Sequence, residues 1–133
     1  MVIGAVFRGN KELDGILSGR GDSGINEILI RMLLESKHQG QVRLILLDQN
    51  RLPEQVNPVE IWEKTGKPVL VISEETTIDS RYMFMYQDRV FLAAGIDEES
   101  ARRVLKKIYP NSRSEALRIA EIILKSILGL HNV

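Results

Sequence analysis

A near-continuous apolar run occupies residues 41–50 and includes the β-branched side chains of Val42 and Ile45. This pattern predicts a strand buried on both faces, as in the middle of an α/β sheet. The strand meets a loop at Asp48. Because ligands of open α/β sheets bind just beyond the carboxyl ends of strands, Asp48 is the first candidate for a functional side chain.

The chain before this run predicts a hairpin. Residues 2–8 and 15–18 flank the turn-rich residues 9–11, and residues 12–14 begin the return. Apolar segments on either side of such a turn are typical of two antiparallel strands.

A helix is predicted between the hairpin and the apolar run. Residues 19–24 read as a loop, in which either Asp22 or Ser23 is expected to cap a helix over about residues 24–37. Gly40 then frees the chain to enter the strand.

The segment after Asp48 predicts a strand–helix–strand unit. Asn57 followed by Pro58 is a cap and first-turn signal for a short helix over residues 58–65, which Gly66 closes. The one tryptophan of the chain, Trp62, lies in this segment and is expected to pack the helix onto the sheet. Residues 68–72 form another buried strand, parallel to the first.

The last third of the chain predicts a second hairpin and two helices. Residues 81–86 and 89–93 form the hairpin, although the first of these segments is also compatible with a helix. A helix runs from a cap at Asp97 to Tyr109, and a capping box at residues 112–115 opens the final helix. That helix is expected to end at Gly129 and to bury Ala116, Leu117, Ala120, Ile123, Leu124 and Ile127.

This order of elements predicts one α/β domain over residues 1–133. A βαβ layer carries an antiparallel hairpin at one side, and helices cover it. Ribonuclease-H-like folds have this plan, but with three antiparallel strands before the first helix, where this chain shows two.

Composition narrows the function classes. The 133 residues contain 18 lysines and arginines and 18 aspartates and glutamates, so the formal net charge is zero and bulk attraction to nucleic acid or anionic lipid is not implied. There is no cysteine, which excludes disulfides, thiolate metal sites and cysteine nucleophiles. The first residues are unlike a signal peptide, and no apolar run approaches the length that spans a bilayer. We therefore expect a cytoplasmic protein that does not enter membranes.

Several segments of the chain form a recognisable series. They are Ile-Gly-Ala-Val-Phe-Arg-Gly at 3–9, Asp-Gly-Ile-Leu-Ser at 14–18, residues 41–48, 57–61 and 65–72, and Glu-Ala-Leu-Arg-Ile-Ala at 115–120. Together they resemble an archaeal family of unknown function related to endonuclease V. The likeness covers most of the chain and keeps the order of the segments, which is more specific than any single motif.

The resemblance implies a ribonuclease-H-like fold that holds divalent metal, Mg²⁺ or Mn²⁺, and cuts a nucleic-acid strand. Two hard cations need several carboxylates, since they take oxygen ligands. On this resemblance Asp48 matches the catalytic and metal-binding acid, and Asp22 is the best match for a second, loop acid. Arg20 and Arg118 are the candidate nucleic-acid contacts.

The chain also departs from the family's pattern. The family has an additional first strand with an acidic pair, for which this sequence has no counterpart. Gln49 and Asn50 stand where the family has glycine after the strand, and Glu121 replaces a histidine of the last helix.

These observations leave three hypotheses. The first is a non-catalytic or vestigial endonuclease-V-like protein with weak nucleic-acid binding. The second is a Mg²⁺- or Mn²⁺-dependent nuclease that an upstream segment or another subunit completes. The third is a self-associating interaction module, expected to be a homodimer because a lost strand leaves open sheet edges and apolar surface.

Each candidate residue also has a structural alternative. Asp48 can cap the following loop or accept a backbone hydrogen bond, and Asp22 can be a helix cap. Arg118 can form a surface pair with Glu115 or Glu121.

Overall fold

The computed structural model describes residues 2–8, 12–73 and 83–128. These residues form six strands and four α-helices. In chain order they are β1 (Val2–Arg8), β2 (Glu12–Gly19), α1 (Ile25–Leu34), β3 (Ile45–Asp48), α2 (Pro58–Thr65), β4 (Val69–Ser73), β5 (Met83–Tyr86), β6 (Arg89–Ala94), α3 (Glu98–Ile108) and α4 (Glu115–Leu128). Short 3₁₀ turns follow β3 at Gln49–Arg51 and α3 at Pro110–Ser112.

The strands form two sheets. β1 and β2 make an antiparallel hairpin, and the other strands make a sheet in the order β3-β4-β6-β5. β3 is parallel to β4, whereas β6 is antiparallel to both β4 and β5. The α/β architecture predicted from the sequence, with its N-terminal hairpin, βαβ unit and C-terminal helices, is confirmed.

The prediction that the run at residues 41–50 is a central, doubly buried strand is wrong. The strand is limited to Ile45–Asp48. Among the described strands it lies at the edge of the sheet, and Leu47, which is 9% exposed, is its most buried residue. The strand begins later than predicted because Gln41 still belongs to the turn after α1, where its N–H donates to the carbonyl of His38 at 2.9 Å. The centre of the sheet is instead β4 and β6, in which nearly every residue is buried.

Helices cover the four-stranded sheet on both faces. On one face, Val69 and Val71 pack with residues of α1 and α2. On the other, Leu70 and Ile72 pack with α3 and with Phe91, whose ring contacts Phe84, Tyr86 and Tyr109 at centroid distances of 5.7, 6.1 and 5.6 Å. Alternation along a strand explains this division, because successive side chains point to opposite faces.

The local signals for α2, α3 and the second hairpin are confirmed. The side chain of Asn57 accepts the N–H of Glu60, and Gly66 ends α2 in the left-handed region at φ 73°. Asp97 caps α3 by accepting the N–H of Ser100 at 2.8 Å. β5 and β6 meet in a two-residue turn whose residues, 87 and 88, both have positive φ, as such hairpins require.

Two predicted helix caps are wrong. Gly24, rather than Asp22 or Ser23, is the N-cap of α1, and it makes no side-chain cap bond; the helix also ends at Leu34, before residue 37. In α4 the cap is Ser114, whose hydroxyl accepts the N–H of Leu117 at 3.3 Å. Ser112 does not cap α4, because its N–H and its hydroxyl both donate to the side-chain oxygen of Gln87.

The predicted burial of α4 is wrong for Ile127, which is 53% exposed. The other residues predicted to be buried are partly buried, and none of them is fully buried: Ala116, Leu117, Ala120, Ile123 and Leu124. The reason is that α4 packs mainly along β1 and touches β3, so only part of its surface is covered. Within the described residues no helix is both long and apolar enough to cross a membrane. The predicted end at Gly129 and the predicted strand positions 81 and 82 lie outside the described residues.

Candidate functional site: a charge network at the end of β3

Asp48 ends β3 and caps the 3₁₀ turn that follows. Its Oδ1 accepts the backbone N–H of Asn50 at 3.1 Å, and its Oδ2 accepts Nε–H of Arg51 at 3.2 Å. The side chain is only 17% exposed. Both carboxylate oxygens therefore have partners within three residues of the chain.

Arg51 extends this arrangement to the last helix. One of its terminal nitrogens lies 2.5 Å from Oε2 of Glu121, whose other oxygen lies 2.8 Å from Nζ of Lys125. Asp48, Arg51, Glu121 and Lys125 thus alternate in sign, and we call them the charge network. Helical spacing accounts for its second half, since residues four apart are neighbours on one face of α4.

The charges of the network also shift the pKa of Glu121, which belongs to it, and of the nearby Tyr109. The pKa of Glu121 lies below its usual value, chiefly because Lys125 hydrogen-bonds to it; partial burial opposes this effect and the charge of Arg51 adds to it. Burial raises the pKa of the Tyr109 phenol, and the negative charge of Asp48 acts in the same direction while Arg89 opposes both. The Tyr109 phenol therefore loses its proton only at a higher pH than an ordinary tyrosine does.

The charge network is a poor ligand set for a hard cation. It brings together two carboxylates, but the guanidinium of Arg51 bonds to an oxygen of each. Among the described residues no group of three or more histidines, aspartates and glutamates is placed to hold a metal ion. Mg²⁺ and Ca²⁺ are bound by several oxygens at once, so two acids that share a guanidinium offer little.

The other candidate residues lie apart from this network. Asp22 and Arg20 are in the exposed loop before α1, where the carbonyl of Arg20 accepts a hydrogen bond from Arg31 at 2.7 Å. Asp22 forms no hydrogen bond or ion pair with another described residue. The structure therefore does not bring Asp22 to Asp48 through any contact of this kind.

Arg118 forms the surface pair with Glu115. Its Nε lies 2.9 Å from Oε1 of Glu115. This hydrogen bond lowers the pKa of Glu115 and raises that of Arg118 above its usual value. The ion pairs of Glu121 are therefore with Arg51 and Lys125, not with Arg118.

Sequence reasoning missed the role of Arg51 and Lys125. The spacing of Asp48 and Arg51, and that of Glu121 and Lys125, are visible in the sequence as short-range pairs of opposite charge. The contact of Arg51 with Glu121 joins residues 70 positions apart, and only the packing of α4 near β3 brings it about.

The fold and the site define an α/β protein with a hairpin, a mixed four-stranded sheet and a neutral charge network at the end of its edge strand β3. No family model matches the chain. It is 35% identical over 77 residues to a UPF0215 protein of Methanosarcina mazei, and 38% identical over 78 residues to a UPF0215 protein of Methanothermobacter thermautotrophicus. Each alignment covers 54% of this chain but only 39% and 38% of those relatives, so the chain spans less than two fifths of their length.

A solved structure is similar over nearly the whole chain. It is that of a protein of unknown function from Archaeoglobus fulgidus, with a TM-score of 0.77 and 19% sequence identity. The superposition covers 94% of this chain and 88% of that one. At this identity the likeness concerns the fold alone.

The homologues of this chain that the sequence comparison finds are archaeal UPF0215 proteins.

Proposed function

We propose that this protein is a non-catalytic, endonuclease-V-like member of the ribonuclease-H-like folds, in which the strand-end carboxylate has become part of a structural charge network. One observation carries the proposal: Arg51 lies between Asp48 and Glu121 and bonds to both. A fixed cation thus takes the place that a divalent metal would need.

Electrostatics supports this proposal. With Arg51 and Lys125 present, the two carboxylates are already neutralised within the chain. A divalent cation would have to displace a guanidinium from both acids and would find no third carboxylate there among the described residues. A site of this kind holds hard cations weakly, and a nuclease needs them held in defined positions.

Weak nucleic-acid binding is the residual activity that we propose. Arg20 is exposed in the loop before α1, and Arg118 is exposed on α4. Arg118 would have to share its guanidinium between Glu115 and a phosphate, and the net charge of zero adds no attraction. We therefore expect binding that is weak and lost at moderate salt.

A second candidate function, a metal-dependent nuclease, is favoured by the open sheet edges. In the described part of the chain β1 pairs only with β2, and β3 pairs with β4 on one side only. A further strand from an upstream segment or another subunit would find unpaired backbone groups at both edges. If it carried acids, Asp48 would gain the partners that it lacks.

The same open edges support a homodimer as part of the proposal, because a second copy is one way to cover them. The absence of cysteine fits a cytoplasmic location, which we also propose.

Thermal melting in Mg²⁺ and Mn²⁺ tests the central proposal. A cation that binds the folded protein raises its melting temperature, so the wild type should show no shift at millimolar metal. Arg51→Ala removes the bridging cation and should make the melting temperature rise with Mn²⁺. Arg51→Ala combined with Asp48→Asn should lose that response, which makes the double variant the matched control.

The outcome that contradicts the proposal is equally specific. A Mn²⁺-dependent shift in the wild type that Asp48→Asn abolishes, or metal-dependent cleavage of an oligonucleotide, would establish the nuclease instead. For nucleic-acid binding, fluorescence anisotropy with a labelled single strand at low salt should weaken on Arg20→Ala or Arg118→Ala. Arg8→Ala is the control, since Arg8 is also an exposed arginine paired with an acid.

A further inference from the structure

Two helices join the hairpin to the four-stranded sheet. On one face, α1 contacts the hairpin, since a Cβ placed on Gly4 or Gly19 would meet its side chains within 3.4 Å, and it packs with Val69 and Val71 of β4. On the other face, α4 packs along β1 and touches β3. In the described part of the chain these are the two strands with an unpaired edge beside α4.

The two helices differ in how firmly they are held. α1 has four residues that are at most 8% exposed, Ile25, Ile28, Ile30 and Leu33. α4 is four residues longer, yet none of its described side chains is fully buried, and Ile122 and Ile127 are 47% and 53% exposed. Because burial of apolar surface is the main force that holds a helix to a sheet, α1 is firmly attached and α4 is weakly attached.

We propose that α4 is a lid, which leaves the sheet as one unit while the rest of the fold stays intact. Its release opens the unpaired edges of β1 and β3 to a further strand. The release itself follows from the burial of α4 alone. Its consequence rests on the open edges from which the homodimer and the completed nuclease are proposed above.

The attachment of α4 has an apolar and an ionic part. Leu117 packs against the cluster formed by β4, β6 and α3. One turn further along the helix, Glu121 pairs with Arg51, whose side chain is half-exposed. An ion pair with an exposed partner adds little to stability, so the partly buried Leu117 supplies the larger share.

The chain just before α4 provides a fixed pivot. Tyr109 and Ser114 are buried, and Ser112 donates two hydrogen bonds to Gln87 in the turn of the second hairpin. Towards the other end of α4 the side chains of residues 125–127 are all exposed. Release therefore keeps the N-terminal end of α4 in place and frees the part that extends along β1.

Hydrogen exchange measures this release directly. A helix of this length is marginally stable in water without tertiary contacts, so α4 loses its backbone hydrogen bonds when it leaves the sheet. Amide exchange followed by NMR in increasing guanidinium chloride separates such local opening from global unfolding. The amides of α4 should exchange about a hundredfold or more faster than those of β4 and β6, with a weak dependence on denaturant. Those of α1 should exchange together with β4 and β6.

Variants of the two attachments sharpen the measurement. Leu117→Ala should accelerate exchange of α4 by about tenfold or more, because it removes the packed side chain. Arg51→Ala should accelerate it by about two- to fivefold, the effect of a partly exposed ion pair. Ile122→Ala is the matched control for the first, since Ile122 lies on the same helix but is exposed. Lys64→Ala is the control for the second, since Lys64 is an exposed cation paired within α2.

The exchange pattern decides whether α4 is a lid. Exchange of α4, β4 and β6 in one common transition, or release of α1 together with α4, would overturn the proposal. Acceleration by Ile122→Ala equal to that by Leu117→Ala would overturn the part assigned to Leu117.

Sedimentation velocity tests the consequence of release. If release opens the edges to a second copy, Leu117→Ala should dimerise at lower concentration than the wild type and Ile122→Ala. Faster exchange of α4 without tighter association would overturn this consequence. Wild type and Leu117→Ala that are both monomeric at micromolar concentration would overturn the homodimer, while exchange alone decides the lid.

Discussion

Gly95 and Gly66 form a matched pair that isolates one packing contact. Both have positive φ, 76° and 73°. A Cβ placed on Gly66 would meet nothing within 4 Å, whereas one placed on Gly95 would lie 2.4 Å from Cδ1 and Nε1 of Trp62. The ring of Trp62 therefore rests on the backbone just after β6, which ties α2 to the sheet as the sequence pattern predicts. Changing each glycine to alanine separates backbone strain from loss of this contact.

The two substitutions should differ in size. An L-residue in the left-handed region costs about 1–2 kcal/mol, so Gly66→Ala should destabilise the fold by about that amount. Gly95→Ala carries the same strain and also displaces the indole ring, which adds about 1–2 kcal/mol as a fraction of the cost of losing a packed tryptophan. For a chain of 133 residues, 1 kcal/mol corresponds to about 4 °C in melting temperature. The two variants should thus melt about 4–8 °C and about 8–16 °C below the wild type.

Tryptophan fluorescence is the natural assay, because Trp62 is the sole tryptophan of the chain. Its emission should shift to the red in folded Gly95→Ala and stay unchanged in Gly66→Ala, while circular dichroism follows unfolding in both. In a Trp62→Ala background the extra cost of Gly95→Ala should vanish. If Gly95→Ala and Gly66→Ala are equally destabilising in the wild-type background, the ring does not rest on Gly95 and the reasoning is refuted.

Three further predictions follow from the helix caps and the β5 edge. Ser114→Ala should lower the free energy of unfolding by about 1 kcal/mol through loss of the α4 cap, and Ser112→Ala should lower it by less. If Ser112→Ala lowers the melting temperature more than Ser114→Ala does, Ser112 is the cap instead. Arg102→Ala should increase aggregation on heating, measured by light scattering, because Arg102 donates to the carbonyl of Met85 on the edge strand β5; unchanged scattering would contradict this role. Hydrogen bonds from Ser100 lower the pKa of Asp97 below 3.8, so its stabilisation is present above that pH and lost as pH falls through the folded value. Asp97→Asn should flatten this part of the acid unfolding curve, and an unaltered curve would rule the linkage out.

Elements specified by neighbouring residues could be predicted from the sequence. The bounds of α2 follow from Asn57, Pro58 and Gly66, each of which acts within one turn of the helix. The Asp97 cap of α3 and the two-residue turn of the second hairpin are local in the same sense. In each case every deciding residue acts on a partner within about four positions of itself in the chain.

Features that depend on distant partners could not be predicted. The apolar run at residues 41–50 predicts a strand, of which the structure forms Ile45–Asp48, and the place of that strand at the sheet edge depends on which strands pair with β4. In the sequence Ser112 is the favoured cap, because Glu115 follows it at capping-box spacing, and the long-range bond from Ser112 to Gln87 is what leaves the cap to Ser114. The candidate site divides in the same way, because both halves of the charge network are local pairs and only the fold joins them.

The edge position of β3 explains why its terminal carboxylate has a neutral environment. In the described part of the chain the neighbour of Asp48 on that side is α4, not another strand. A helix presents residues four apart on one face, so it brings Glu121 together with its own cation, Lys125. A further strand that paired with β3 would compete with α4 for this edge and separate Arg51 from Glu121. On the proposal made above, a metal-binding form would therefore need a different arrangement of α4, and the response of the melting temperature to Mn²⁺ before and after removal of Arg51 tests this.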